Sequence, residues 1–170
     1  RAGYAPAQHA LARAYQIGYG CLRSGALAKH WYAAAAATGY TDAQFELGLI
    51  LLNKRDLSWM AGSSSAWLNH RADQEKSLVA ALFPAGFVSD DNPAEAFTWL
   101  LRAAEAGKAE AQANVGWLYL RGIGCERDRV ESRRWLTAAA AHNVSQAALG
   151  LAEYYGAADA TDQDLCQSAL

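Results

Sequence analysis

The chain lacks most of what would drive catalysis, nucleic-acid binding or membrane insertion. Its 170 residues carry 15 Lys and Arg against 17 Asp and Glu, a formal net charge of −2. There is no basic excess to create the positive field that non-specific nucleic-acid binding needs. No stretch approaches the roughly 18–20 apolar residues of a membrane-spanning helix, and the run Ala33–Ala37 is far too short. Three cysteines cannot complete a disulfide framework. The histidines, His9, His30, His70 and His142, are scattered, with no His-x-x-x-His pair and no cysteine at metal-ligand spacing. No catalytic residue, metal or cofactor is expected.

What the chain has instead is alanine and a rhythm. Residues 107–142 read as one complete helix–turn–helix unit. Ala111, Val115, Gly116 and Tyr119 share one face of a first helix. Gly122 and Gly124 break it, and Asp128 is placed to cap the next. Ser132, Trp135, Leu136, Ala139 and Ala140 then share a face of the second helix. Two amphipathic helices joined by a turn bury too little alone, so such a unit needs neighbours.

Those neighbours recur at a 36-residue spacing. Val79, Ala80, Phe83, Gly86, Ala96 and Trp99 match a copy at 71–106. Ala7, Leu11, Ala12, Tyr15, Gly18, Gly20 and Trp31 match one at 3–38, and Ala147, Leu151, Ala152 and Tyr155 open an incomplete one at 143–170. Residues 39–70 begin well, with Ala43, Leu47, Gly48 and Leu51, and then degenerate. The glycine pairs Gly18/Gly20 and Gly122/Gly124 follow no strand, so they are turns rather than phosphate loops. Asn92, Pro93 and Glu95 form a helix start, which also accounts for the acidic run Asp90-Asp91 without calcium.

The running pattern of Ala, Leu-Gly, Tyr, Gly-x-Gly, Trp and Ala-Ala resembles the Sel-one-like repeat, a longer relative of the tetratricopeptide repeat. The resemblance covers nearly the whole chain and is specific at 3–38, 71–106 and 107–142. It implies an all-α, right-handed superhelix of about five units and a non-catalytic bacterial adaptor or scaffold that binds proteins. It also suggests a cell-envelope or secreted setting, with a module of a larger assembly or a toxin-neutralising protein as other roles. Arg1-Ala2 and Leu170 fall inside repeats, so a longer array is expected.

Two features remain special. Trp67 in register suggests a worn second helix, and Phe83, Gly86 and Trp99 in register favour a worn unit at 39–70 over an insertion of about 32 residues between the helices of one ordinary repeat. Off-register Trp59 and Met60 make 53–70 a candidate recognition loop. Cys21 and Cys125 share a repeat position after the turn, where they fit as small buried thiols. Residues 143–156 are expected to form a helix ending at Gly156, with another opening near Thr161 or Asp162.

The face of each first helix opposite its core is the candidate binding surface. It carries His9, Arg13 and Gln16 in the first copy, then Asp42, Phe45, Leu49 and Leu52 in the second. Glu110, Ala113, Trp117 and Leu120, then Gln146, Leu149 and Glu153, continue it. Phe45 with Leu49, and Trp117 with Leu120 and Leu149, would be exposed apolar patches for a protein or peptide partner, or for self-association. The alternative is that neighbouring first helices bury some of them, above all Leu52 and Leu120. Tryptophans 31, 67, 99 and 135 are assigned to the repeat core.

Overall fold

A computed structural model describes residues 4–52 and 92–168, with side-chain surroundings as far as residue 156. Within them the chain forms seven helices and no strand: α1 (Ala5–Ile17), α2 (Gly25–Ala37), α3 (Thr41–Leu51), α4 (Pro93–Glu105), α5 (Ala109–Arg121), α6 (Arg129–Ala140) and α7 (Ser145–Ser168). The second helices start where short polar side chains satisfy their free amides. Ser24 Oγ accepts from the Leu27 N–H, and the Asp128 carboxylate accepts from Val130 and Glu131. At α4 the Asn92 side chain accepts from the Glu95 amide and donates back to the Glu95 carboxylate, a reciprocal cap.

The two described turns within units, α1–α2 and α5–α6, are tied across their mouths in the same way. The Ser24 amide donates to the Tyr15 carbonyl at 3.0 Å, and the Asp128 amide to the Tyr119 carbonyl at 3.1 Å. Gly122 ends α5 in the left-handed conformation with φ 67°, which a glycine adopts without a Cβ penalty. At the unit boundary before α7 the same handedness falls to Asn143, φ 59°. Asparagine tolerates that conformation better than most residues.

Helices pair within a unit through a small-against-large contact. Gly116 on α5 faces Leu136 on α6, and Gly48 on α3 faces Leu100 on α4. In the first unit Ala12 takes the glycine's place and Tyr32 the leucine's; both are fully buried. One core runs from Ala12 on α1 to Leu118 on α5, and a second joins α5, α6 and Ala147 of α7. Units are also stitched by polar contacts: Gln44 Nε2 donates to the Ala36 carbonyl at 3.4 Å, and Gln112 Nε2 to the Ala104 carbonyl at 3.3 Å.

Three expectations change here. First, α3 packs on α4 much as α1 packs on α2, so the two helices of one unit are separated in sequence by residues 52–92. That is the geometry of an insertion within one repeat, not of a worn unit at 39–70 followed by another at 71–106. The expected helices between 53 and 91 lie outside the described residues. Second, α7 runs through Gly156 without a break to Ser168. Gly156 faces open space, and an exposed glycine lowers helix stability by only about 1 kcal/mol. Third, the large fully buried side chains of the second helices are Tyr32, Leu100 and Leu136. Trp31, Trp99 and Trp135, one position earlier, are half-buried plates on the edge of the core.

Candidate functional site

Stacking three units sets three first helices side by side, and a cavity of about 610 Å³ opens between them. α1 contributes His9, Arg13, Gln16 and Ile17 to its wall. α3 contributes Asp42, Phe45 and Glu46, while Lys108, the cap residue of α5, and Glu110 close the third side. Helical spacing explains the set: His9, Arg13 and Gln16 follow one another at four and three residues, and Phe45 and Glu46 lie three and four residues after Asp42.

The wall is held by charge and rings. Lys108 Nζ reaches across a unit boundary to Asp42 Oδ1 at 2.7 Å and lies 4.0 Å from Glu110. Its ammonium also sits 4.9 Å from the Phe45 ring centroid, a cation–π contact. That hydrogen bond holds the Asp42 carboxyl below its ordinary range, against the opposing effect of burial. His9 lies between two aromatic rings, 5.5 Å from Tyr32 and 5.2 Å from Tyr40. Burial lowers its pKa, with Asp42 acting against and Arg13 and Lys108 adding to the shift, so the imidazole is neutral at pH 7. Behind the wall the Tyr32 hydroxyl donates to Gln16 Oε1, and burial raises the tyrosine's pKa.

Glu46 differs from its neighbours. It is half-buried, and burial pushes its carboxyl above the ordinary value, with Asp42 adding to the rise and Arg13 and Lys108 opposing it. Among the described residues its side chain makes no hydrogen bond or ion pair.

The residues proposed from sequence divide into groups. His9, Arg13 and Phe45 come together in the cavity. Phe45 is only 5% exposed, however, because Lys108 and the adjoining helices cover it. Leu49 and Leu120, with Leu52, are buried in the cores between helices rather than presented to solvent. Trp117 is 3% exposed: its indole donates to the Gln146 carbonyl at 3.0 Å and the Arg121 guanidinium lies over its ring. Arg121 is in turn bonded to Glu153 at 3.2 Å. The apolar patches expected at these four residues are therefore interhelix packing. Leu149 alone of the apolar set is open, at 64%, and it lies outside the cavity lining. Trp59 and the 53–70 segment fall outside the described residues.

Three residues escaped the sequence reading. Glu46 and Lys108 sit beside positions on the chosen helical face, and a single-helix projection does not show what arrives from the next unit. Ile17, the last residue of α1, is 62% exposed at the cavity edge. Elsewhere Cys21 and Cys125 are free thiols, the latter pushed up to about 11 by burial and Asp128, which keeps it protonated and inert at pH 7. Among the described residues no group of His, Cys, Asp and Glu could hold a metal, and no helix is long and apolar enough to cross a membrane.

Comparison with known proteins agrees with this architecture. The chain is 32% identical over 146 residues to the chitin synthase regulator SKT5 of Saccharomyces cerevisiae, covering 85% of this chain and 17% of that protein. It is 30% identical over 121 residues to chitin synthase regulatory factor 3 of Schizosaccharomyces pombe, covering 66% of this chain and 13% of the relative. It thus spans a small part of either. It superposes on the crystal structure of a Sel1 repeat protein from Oxalobacter formigenes with a TM-score of 0.59 and 28% identity, over 88% of both chains. Relatives from two yeasts mean that the expected bacterial restriction does not hold. The Sel1 repeat model matches residues 5–40, 85–108 and 109–144, more than half of the sequence. With its helix pairs stacked in an all-α superhelix, the chain belongs to the Sel1 repeat family.

Proposed function

We propose that this chain is a non-catalytic interaction module that holds a segment of a protein partner in the cavity between α1, α3 and α5. The observation that carries the reading is the convergence of side chains from three successive units, Arg13, Glu46 and Lys108 among them, on one open cavity. Pre-stacked helices present such a surface at little cost in ordering. The two yeast relatives carry names of regulators of a synthase, which supports an adaptor acting on another protein.

The test uses exposed residues. Replacing Phe45 or Trp117 with alanine would hollow the packing, at about 3–5 kcal/mol each, and would confuse lost binding with lost folding. Arg13 and Ile17 are exposed and line the cavity. An Arg13→Ala/Ile17→Lys chain, checked by circular dichroism, is compared with the parent in pull-downs from source-cell lysate. The expected outcome is a partner retained by the parent and by Val130→Glu, on the exposed side of α6, but lost by the double variant. A partner lost with Val130→Glu and kept by the double variant overturns the proposal.

A further inference from the structure

We infer that the cavity recognises a basic side chain, Lys or Arg, of the bound segment, seated against the Glu46 carboxylate. This rests on the cavity being the partner site, as proposed above. Three carboxylates, Asp42, Glu46 and Glu110, face two fixed cations, Arg13 and Lys108, with His9 neutral. The cations are not shared evenly. Lys108 is committed to Asp42 at 2.7 Å, with Glu110 at 4.0 Å. Arg13 is exposed and forms no ion pair within the described residues. Glu46 is thus the carboxylate that has lost part of its hydration while Arg13 and Lys108 act on it only from beyond ion-pair distance.

A half-buried, unpaired carboxylate beside open volume has one direct remedy, a cation that enters the volume. A guanidinium or ammonium there gains a charge-assisted hydrogen bond, and its apolar stem fits the Ile17 edge. An acidic side chain in the same place would meet a net negative wall. Asp42 and Glu110 cannot take the role equally, because Lys108 already satisfies them. The bound state requires Glu46 ionised. Its rise above the ordinary glutamate value therefore makes binding weaken as pH falls, while Arg13 and Lys108 favour, and Asp42 disfavours, the ionised form.

The probe is a randomised peptide library displayed on phage, selected on the 170-residue chain, on Glu46→Gln, on Arg13→Gln and on the Arg13→Ala/Ile17→Lys chain. Glu46→Gln keeps shape and removes an unpaired charge, and its melting temperature is recorded beside the parent's. The expected result is enrichment of Lys or Arg at one peptide position on the parent and on Arg13→Gln, and loss of that preference on Glu46→Gln. A synthetic peptide from the selection should bind Glu46→Gln roughly 10- to 100-fold more weakly, as for loss of one charged hydrogen bond. The parent's affinity for that peptide should fall with acidification more steeply than the variant's. Peptides that need the cavity but show no basic preference, or one that survives in Glu46→Gln, overturn this inference and leave the partner site standing. Selections unaffected by the Arg13→Ala/Ile17→Lys change, or no enrichment at all, overturn both.

Discussion

Leu136 fills the space that a side chain on Gly116 would need: a Cβ added there would meet Leu136 Cγ at 2.6 Å. Leu100 stands against Gly48 in the same way, at 2.5 Å. Leu136 also closes on the next unit, where a Cβ on Gly150 would meet its Cδ2 at 2.7 Å. One leucine therefore joins its own first helix to the following one. In the isolated helix Gly→Ala would add about 1 kcal/mol, yet the contact reverses the sign. Gly116→Ala and Gly48→Ala should each lower stability by about 1–3 kcal/mol through overpacking, read as a shift in denaturant midpoint. Leu136→Ala should cost less in the Gly116→Ala background than in the parent. Additive effects would mean that the helices simply slide apart.

Gly124 and Gly20 occupy equivalent turn positions with nearly the same φ, 74° and 71°, but different surroundings. A Cβ on Gly124 would lie 2.0 Å from the Pro93 carbonyl oxygen at the start of α4, whereas Gly20 has nothing within 4 Å. Gly20→Ala should cost only the left-handed penalty of about 1–2 kcal/mol. Gly124→Ala should cost clearly more, because the turn must lift off the preceding unit. Equal losses in thermal melts would show that the α5–α6 turn does not need that contact.

Ser132 is fully buried and its hydroxyl has no hydrogen-bond partner. The same repeat position holds Ala28 and Ala96, both fully buried. Ser132→Ala removes an unsatisfied polar group and improves helix propensity, so it should stabilise by about 1 kcal/mol. A loss of stability would reveal a hidden bond to the preceding turn.

Glu46 and Asp42 give opposite pH signatures. Burial raises the folded pKa of Glu46 above 4.5, so its favourable contribution is present at acid pH and is lost as pH rises through the folded value. Lys108 lowers that of Asp42 below 3.8, so its contribution is present at neutral pH and is lost as pH falls through the lowered value. His9, also lowered, weakens the fold as pH falls and it takes up a proton. Comparing Glu46→Gln with the parent cancels most of the Asp42 and His9 effects. Glu46→Gln should melt higher than the parent near pH 7, and the gap should narrow as pH falls toward and below 4.5.

Much of this was legible in local chemistry. The period, the caps at Asn92 and Asp128 and the turn glycines are short-range signals, and the structure follows them. The concave set was also partly legible, since His9, Arg13, Phe45 and Asp42 do converge. Its character was not. A helical projection shows Phe45 and Trp117 as apolar and outward, but Lys108 covers one and the Gln146 carbonyl and Arg121 cover the other from outside the helix. The inserted segment was hidden for a related reason: Gly39 and Trp99 each keep repeat spacing with their own neighbours, and the packing of α3 on α4, with Gly48 against Leu100, joins the two halves. Glutamine supplied a usable signal that went unread. Gln44 and Gln112 share a repeat position, and both bond a carbonyl of the preceding unit.

The most direct test of the partner site is photo-crosslinking with a photoreactive phenylalanine analogue at Ile17, 62% exposed in the cavity, or at Val130, 72% exposed outside it. Both proteins are irradiated with the partner recovered in the pull-down. The account predicts an adduct from position 17 that a selected cavity-binding peptide competes away, and none from position 130. An adduct from position 130 with none from position 17 would contradict it and move the binding surface to the exposed start of α6.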